Sequence, residues 1–294
     1  MQQHRKKILV TGANGQLGNE LRYIANDWQQ LDFVFTDVDE LDITDQQAIC
    51  SAVNDNSIDL VVNCAAYTAV DKAEGDPDKA RLLNADAPGM LARAISARGG
   101  EMIHISTDYV FGGDSCKPYT EDCPTGPRSV YGSTKLEGER QVAEGCAKSV
   151  ILRTAWLYSP YGNNFVKTML RLGRERESLN VVFDQIGTPT YAHDLAVAIA
   201  TIAAADQKTY GTFHFSNEGV TSWYDFTKAI HRLAGITSCK VSPIRTEQYP
   251  TPAQRPAFSV LDKTKIKQAY NISIPHWEES LNECLARIAQ QDKQ

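Results

Sequence analysis

Short apolar runs alternate with longer amphipathic stretches through the first half of the chain. The runs at 7–11 and 33–36 are rich in β-branched and aromatic residues, which is typical of strands. The stretches between such runs carry apolar residues at helical spacing, most clearly over 77–98, where Gly99 and Gly100 end the pattern. Strands that alternate with helices predict a parallel sheet covered on both faces. The further strands predicted here are 59–63, 102–106 and 150–154.

The pattern becomes less regular after residue 156. The apolar stretch 195–205 is too short to cross a bilayer and is typical of a buried helix. The alternation as a whole predicts an α/β protein, with a Rossmann-type doubly wound parallel sheet of about seven strands and a smaller C-terminal α/β substrate domain. The elements predicted in this half are helices at 165–173, 194–205 and 219–235 and strands at 179–183 and 212–215.

We expect two units along the chain. Residues 1–155 are predicted to form a dinucleotide-binding domain, to which the chain returns at about 191–219. Residues 156–294 are predicted to form most of a discontinuous substrate-binding domain. A single large α/β unit is the alternative that length alone allows.

Composition narrows the class of protein. Of the 294 residues, 42% are hydrophobic, which is enough for a large core and excludes disorder. The net charge of -6, with no basic run longer than 5–7, argues against nucleic acid as a partner. The seven cysteines lack metal-ligand spacing and no signal peptide or membrane anchor is recognised, so we expect reduced thiols and a cytoplasmic protein.

A glycine-rich turn follows the first predicted strand directly and opens a helix. Glycines at this spacing allow a tight turn, so that the amides at the start of the helix can face a pyrophosphate. An ordinary strand-to-helix turn is the alternative, and the flanking strand and helix favour the dinucleotide site. The cofactor-binding candidates are Gly12, Asn14, Gly15, Gln16, Leu17 and Gly18.

An acidic residue ends the second predicted strand. Asp37 lies about twenty residues past the glycines, where a dinucleotide fold places the carboxylate that binds the adenosine ribose. A carboxylate there repels the extra phosphate of NADPH, and 38–45 contains no Lys or Arg to offset it, so NADH is favoured as the cofactor. A solvated turn residue is the alternative for Asp37. Asp42 and Ile43 are further cofactor-binding candidates.

Small residues follow the third predicted strand. The carboxyl ends of parallel strands are where open α/β sheets bind their cofactors, and small side chains leave room for a flat ligand. Close packing against the first helix explains the alanines equally well. Asn84, on the long helix, is either a hydrogen-bonded core amide or part of an active-site relay. The cofactor-binding candidates at this strand end are Cys64, Ala65, Ala66 and Tyr67.

Tyr131 and Lys135 are the strongest catalytic candidates. Four residues apart on a predicted helix, they share one face, and a cation beside the phenol lowers its pKa toward the range useful for proton transfer. Thr107, at the end of the fourth predicted strand, can bond both a substrate oxygen and the phenol. The same spacing recurs at Tyr224 and Lys228, where the sequence predicts a capped amphipathic helix instead.

These motifs resemble the extended short-chain dehydrogenase/reductase family and, within it, the branch of dTDP-4-dehydrorhamnose reductases. The similarity runs nearly from end to end. It is carried by the glycine turn and by the segments 62–74, 106–111, 153–156, 162–165, 184–190 and 249–252.

The resemblance implies a reaction and a set of roles. The reaction is NAD(P)H-dependent reduction of the C4 ketone of the nucleotide sugar dTDP-4-dehydro-L-rhamnose, for rhamnose-containing cell-surface polysaccharide. Tyr131 would protonate the sugar C4 oxygen, Lys135 would lower the phenol's pKa and hold the nicotinamide ribose, and Thr107 would bond the carbonyl. The alternative without a functional role is a core aromatic residue for Trp156 and a solvated loop charge for Arg255. The substrate-binding candidates are Thr107, Asp108, Tyr109, Trp156, Asn164, Gln185 and Arg255.

The resemblance also implies a homodimer bridged by a metal such as Mg²⁺. Glu20 matches one ligand position, but the others fall on His193 and Arg287. Because hard cations prefer oxygen ligands and an arginine cannot bind one, the sequence argues against the metal bridge. The sequence leaves a homodimer without a bridging metal as a possibility.

Two other functions remain as alternatives. A sugar-nucleotide dehydratase, epimerase or other ketoreductase would use the same scaffold, but the family's dehydratases place a glutamate directly after the Thr-Asp pair, where this chain has Tyr109. A regulatory subunit is the non-enzymatic alternative, since a relative of this branch regulates methionine adenosyltransferase. Retention of Thr107, Tyr131 and Lys135 weighs against that alternative.

Overall fold

Parallel strands form the centre of the molecule. The computed structural model describes residues 5–291. Its strands are β1 (Lys6–Thr11), β2 (Leu31–Thr36), β3 (Leu60–Asn63), β4 (Glu101–Thr107), β5 (Ser149–Thr154), β6 (Leu157–Tyr158), β7 (Ser178–Val182), β8 (Ile186–Gly187), β9 (Thr190–Tyr191), β10 (Gly211–His214), β11 (Thr221–Ser222) and β12 (Lys240–Ile244).

Helices connect these strands. The α-helices are α1 (Gln16–Ile24), α2 (Gln46–Asp55), α3 (Val70–Ala73), α4 (Pro77–Arg81), α5 (Ala87–Ala97), α6 (Val130–Gly145), α7 (Phe165–Glu175), α8 (Ala192–Ala204), α9 (Trp223–Leu233), α10 (Thr264–Tyr270) and α11 (Trp277–Gln291).

Six of the described strands form one parallel sheet, in the order β10-β5-β4-β3-β1-β2. The predicted doubly wound sheet is therefore confirmed. The chain leaves β1 to one side for β2 and returns on the other side for β3, so the topology switches between β1 and β3. Open α/β sheets bind ligands outside the carboxyl ends of the strands at such a switch point. The glycine turn and the segment after β3 both lie there.

Apolar side chains cover both faces of the sheet. Strand β1 shows the pattern, because Ile8 and Val10 pack with α1 and α8, whereas Leu9 packs with α2 and α5. All three side chains are fully buried. Burial on both faces explains why the strands are nearly continuous apolar runs.

A third apolar cluster lies outside the central sheet. It is formed by side chains of α7, α9 and α11 together with the two-stranded parallel sheet of β7 and β12. The segment predicted as a strand at 179–183 belongs to this small sheet, which is one reason why the central sheet has six strands in the described residues rather than about seven. Strand β10, much later in the chain, pairs with β5 at the edge of the central sheet.

The long helix predicted over 77–98 is interrupted. Between α4 and α5 the backbone forms a π-helical turn over Leu82–Asp86. Such turns insert one extra residue into a helix and occur often at functional sites. Asn84 lies in this turn and is fully buried.

The described part of the chain, residues 5–291, contains no helix that is long and apolar enough to span a membrane.

Candidate active site

Helix α6 brings Tyr131 and Lys135 to the carboxyl end of the sheet. Its start is held by two side chains: the Ser129 hydroxyl accepts a hydrogen bond from the amide of Gly132, and Glu74 Oε1 accepts one from the amide of Val130 at 2.9 Å. A capped first turn fixes the direction in which a helix leaves its loop. The Tyr131 ring then contacts the Tyr109 ring edge to face, with centroids 5.5 Å apart.

The Tyr131 phenol lies within hydrogen-bonding reach of the Thr107 hydroxyl, whose own proton is donated to Asp108. Burial raises the pKa of Tyr131 to about 12, although the bond to Thr107 lowers it and the charge of Asp108 raises it further. We expected Lys135 to lower this pKa, and the structure differs. The Lys135 ammonium instead donates to the carbonyl of Ile105 at 2.6 Å. The phenol is therefore held in its protonated form, which suits a proton donor.

Lys135 is buried, with 2% of its surface exposed. Burial lowers the pKa of its amine to about 8, against the opposing charges of Glu139 and Cys64. Besides the Ile105 carbonyl, the amine faces Nε2 of His104 at 3.5 Å. Sequence reasoning missed His104, and the signal was a polar residue inside the apolar run 102–106.

Asp108 lies beside the catalytic candidates and is almost fully buried. Its Oδ1 accepts a hydrogen bond from the Thr107 hydroxyl at 3.0 Å. Burial raises the pKa of Asp108 to about 6, although hydrogen bonds from Ser259 and Thr107 lower it. The Thr107 hydroxyl thus lies between the Tyr131 phenol and the Asp108 carboxyl, to which it donates.

The glycine turn lies against the segment that follows β3. Gly12 has a φ of +66°, and a Cβ at this position would come within 2.7 Å of the backbone nitrogen of Ala65. Only glycine satisfies both conditions. Gly15 precedes the first residue of α1, while Gly18 and Leu17 lie within α1 and are buried.

Asp37 contacts the glycine turn from β2. Its Oδ2 accepts a hydrogen bond from the amide of Asn14 at 2.8 Å, and its Oδ1 accepts one from Val38. The carboxylate therefore lies beside the turn, where a ribose-binding acid is required. The other candidates near this edge differ in setting, because Asp42 binds Thr44 on the surface whereas Ile43 is buried in the core.

Asn84 ties the segment after β3 to α6. Its side chain accepts a hydrogen bond from the Tyr67 amide and donates to the Tyr67 carbonyl and to the Thr134 hydroxyl. These hydrogen bonds position the 64–67 segment. The amide of Cys64 donates to the Thr11 carbonyl, while Ala65 and Ala66 are half-buried beside it.

Trp156 and Arg255 are each held by a neighbouring side chain. Trp156 has a φ of +48° and stacks on Trp223, with ring centroids 3.5 Å apart. Its ring also lies against Gly187, as does the Ser259 hydroxyl, which is close enough to Asp108 to affect its pKa. Arg255 donates to both oxygens of Asp71, at 3.1 and 2.8 Å, and its charge acts on the neighbouring Tyr109.

The remaining substrate candidates, Asn164 and Gln185, have different hydrogen-bond partners. Asn164 caps α7 and donates to Oε1 of Gln16 in the glycine turn at 2.9 Å. Gln185 is buried and donates to the Thr246 hydroxyl. The structure therefore brings Asn164 to the glycine turn, whereas the Gln185 amide contacts Thr246. Sequence reasoning missed Asp71, Trp223 and Ser259 as partners in the cleft.

The positions that the resemblance linked to a metal do come together. Both oxygens of Glu20 accept hydrogen bonds from Nη1 of Arg287, at 3.0 and 2.8 Å, and Nδ1 of His193 lies 3.2 Å from Oε2. The guanidinium also donates to the Tyr191 hydroxyl. Within residues 5–291 no three His, Cys, Asp or Glu side chains form a metal-binding group. These residues do not fit a divalent cation, because an arginine charge already neutralises the carboxylate.

This chain is similar to known dTDP-4-dehydrorhamnose reductases in sequence and in structure. A dTDP-4-dehydrorhamnose reductase of Sinorhizobium fredii is 43% identical over 282 residues, covering 93% of this chain and 95% of that protein. The solved structure of a dTDP-4-dehydrorhamnose reductase from Clostridium acetobutylicum superposes with a TM-score of 0.92 at 46% identity, covering 96% of this chain and 99% of that one.

A second solved structure, from Bacillus anthracis, is a dTDP-4-dehydrorhamnose reductase in complex with NADP. It has a TM-score of 0.92 at 40% identity and covers 96% of this chain and 99% of that one. The family described as RmlD substrate binding domain matches residues 6–290. This chain, with Tyr131, Thr107 and Lys135 at the mouth of its sheet, belongs to the RmlD substrate binding domain family.

Proposed function

We propose that this chain reduces the C4 ketone of dTDP-4-dehydro-L-rhamnose to give dTDP-L-rhamnose. The observation that carries the proposal is the position of Tyr131 in the first turn of α6, against the Tyr109 ring and close to Thr107 at the end of β4, at the sheet edge that also holds the glycine turn. Relatives of at least 40% identity along nearly the whole chain bear the same activity in their names. A cytoplasmic location suits the seven free cysteines and this use of a nucleotide sugar.

Tyr131, Thr107 and Lys135 are proposed to have different roles in proton transfer and in orientation of the substrate. The Tyr131 hydroxyl donates its proton to the C4 oxygen as the carbonyl becomes an alcohol, which leaves a phenolate. Thr107 donates to the same oxygen while the negative charge develops. Lys135, which donates to the Ile105 carbonyl, is proposed to bind the nicotinamide ribose. Burial of Lys135 and Asp108 excludes water from this pocket.

The site fits a nicotinamide dinucleotide. When bound, NADH or NADPH supplies the hydride that reduces C4. The turn that includes Gly12 would hold the pyrophosphate, the 64–67 segment would line the nicotinamide side, and Asp37 would bind the adenosine ribose. Because Asp37 is a carboxylate beside the turn, we propose that NADH is preferred. A lower Michaelis constant for NADPH than for NADH would overturn this preference.

Arg255 and Trp156 are proposed to hold the nucleotide sugar. Asp71 holds the Arg255 guanidinium in place but does not use all of its N–H groups. The remaining N–H groups can bind diphosphate oxygens, because the planar guanidinium matches their spacing. The half-buried Trp156 offers a flat face to the sugar ring. Asn164 and Gln185 act less directly, because both amides are bonded to protein groups.

The test is a stoichiometric reduction assay with purified chain, dTDP-4-dehydro-L-rhamnose and NADH. A reductase consumes one coenzyme per sugar, whereas a dehydratase, an epimerase or a regulatory subunit consumes none. Tyr131→Phe should lower kcat by at least about 100-fold, the usual size of a general-acid contribution, with coenzyme affinity nearly unchanged. Tyr224→Phe is the matched control, since Tyr224 packs in the third apolar cluster. Unchanged turnover in Tyr131→Phe would reject the assignment.

A further inference from the structure

A row of polar side chains crosses the centre of the sheet. Thr11 on β1 is in register with Asn63 on β3, and Asn63 is in register with His104 on β4. Residues paired in this way point to the same face of a sheet. Each of the three side chains is at most 1% exposed. The row lies among apolar strands, so each polar atom in it depends on the next for a hydrogen-bond partner.

The row ends at the proposed catalytic amine. The Thr11 hydroxyl lies 2.6 Å from Oδ1 of Asn63, and Nδ2 of Asn63 lies 3.0 Å from Nδ1 of His104. Nε2 of His104 then faces the Lys135 amine at 3.5 Å. The series therefore runs from the residue before Gly12, in the coenzyme turn, to the amine beside the phenol. Nothing in the reduction chemistry described above uses it.

His104 is neutral in this setting. Burial and the neighbouring Lys135 charge hold the pKa of His104 well below its ordinary value. A neutral imidazole has one nitrogen that donates and one that accepts. The nitrogen that carries the proton must therefore face an acceptor, and the other nitrogen must face a donor. Nδ1 faces the Asn63 amide, and Nε2 faces the Lys135 amine.

Two arrangements pair a donor with an acceptor at each contact of the row. When Lys135 is charged, it donates to Nε2, so Nδ1 carries the proton; the Asn63 amide must then turn over from the orientation in which Nδ2 faces Nδ1, so that its oxygen accepts from Nδ1 and its NH₂ group donates to Thr11. When Lys135 is neutral, its lone pair accepts from Nε2–H, so Nδ1 accepts from the Asn63 NH₂ group and the Thr11 hydroxyl donates to the amide oxygen. The change of one proton on Lys135 reverses every donor in the row.

We infer that His104 is a positioning residue that holds Lys135 from inside the sheet and changes its tautomer when Lys135 gains or loses its proton. This inference rests on the role proposed for Lys135. The other titratable groups that act on the amine are Cys64 after β3 and Glu139 on α6, and Tyr131 lies one turn before it. Glu139 is held in a buried ion pair with Arg153, whereas His104 can respond to the amine without a change in charge.

The test reads the tautomer directly and needs no substrate. Full-length protein with ¹⁵N-labelled histidine is titrated from about pH 6 to pH 10, and long-range correlations to the ring nitrogens are recorded. The neutral tautomers differ in which nitrogen has the pyrrole-like shift, so the method identifies the protonated one. We expect the proton on Nδ1 at low pH and on Nε2 at high pH, with a midpoint near 8, the pKa of Lys135.

Variants isolate the cause of the switch. Lys135→Met should abolish it, because no amine remains to titrate, whereas Lys228→Met, at an exposed lysine of the same i+4 spacing, should leave it unchanged. The His104 signal is assigned from its loss in His104→Gln and, if that variant does not fold, from triple-resonance connections to the backbone. A tautomer that stays the same across the titration, or a switch that persists in Lys135→Met, would overturn the inference.

The outcome is separable from that of the reduction assay. A switch seen in a protein that consumes no coenzyme supports the inference and counts against the proposed reaction. Normal turnover with an unchanging tautomer supports the proposed reaction and overturns the inference about His104. If both hold, His104→Gln should also shift the alkaline limb of the kcat/KM profile by about one pH unit, which corresponds to a tenfold change in the proton affinity of Lys135.

Discussion

At the scale of single residues, Arg255 shows how a partner fixes a binding group. Asp71 accepts from both ends of the guanidinium, and the hydrogen bond from Arg255 is the main reason that the pKa of Asp71 is lowered. The motif that contains Asp71 was visible in the sequence, but its pairing with a residue 184 positions later was not. The spacing of residues within one segment cannot predict a contact between two segments so far apart in the sequence.

We predict that Arg255→Lys raises the KM for the nucleotide sugar by about tenfold, or ~1.4 kcal/mol, and leaves kcat nearly unchanged. Lysine keeps the charge but cannot bind Asp71 and a diphosphate through one planar fork. Steady-state kinetics at saturating coenzyme measure both constants. Arg232→Lys, at an exposed ion pair with Glu278, is the control and should change neither. An equal loss in kcat would show that Arg255 acts in the chemical step instead.

Asp108 gives a prediction about pH. Its folded pKa is about 6, above the ordinary value of 3.8, so the folded state holds this proton more tightly than the unfolded state does. The resulting stability is present below about pH 4 and is lost as the pH rises through 6. At neutral pH the buried carboxylate then costs about 3 kcal/mol as an upper bound.

Asp108→Asn removes this titration. The free energy of unfolding of the variant relative to wild type should therefore increase between pH 4 and pH 6 and stay level above pH 6. Urea denaturation at several pH values measures the difference. Asp206→Asn, at a surface loop, supplies the matched control. A difference that does not vary with pH would mean that Asp108 keeps an ordinary pKa.

At the scale of elements, the sequence predicted the order of the strands and helices of the central sheet well, because both faces of that sheet are mostly apolar and its strands are short apolar runs. It predicted no π-helical turn, since helical spacing of apolar residues continues across Leu82–Asp86. The π-helical turn depends on packing against α6, which is distant in the sequence. It places the Asn84 carbonyl against α6 at Gly138, where a side chain would collide with that oxygen.

We predict that Gly138→Ala destabilises the protein by at least about 2 kcal/mol, although alanine in a helix is ordinarily the more stable residue. The added Cβ would have to displace the backbone of the π turn and, with it, the Asn84 side chain that holds Tyr67. Urea unfolding measures the loss. Gly126→Ala is the control, because a Cβ there meets no atom within 4 Å. Equal midpoints for the two variants would show that α6 can shift away at no cost.

At the scale of the whole molecule, the sequence could suggest which positions belong to one site but not what they do there. Resemblance grouped Glu20, His193 and Arg287, and these side chains lie together in the structure. Their arrangement joins α1 of the sheet layer to α11 at the far end of the chain, 267 residues away. Because the pair is internal, its role is to hold two layers together, and a bridging metal is not needed for that.

The same ion pair gives the last prediction. Glu20 has no exposed surface, so Arg287→Met leaves a buried carboxylate without its main partner and should cost about 3–5 kcal/mol of unfolding free energy. The double variant Glu20→Gln, Arg287→Met should recover most of that loss, because no charge then remains buried. Arg232→Met, at an exposed pair, should cost less than about 1 kcal/mol. If a bound metal neutralised Glu20, a chelator would lower the unfolding midpoint of wild type; we expect no change, since Arg287 supplies that charge.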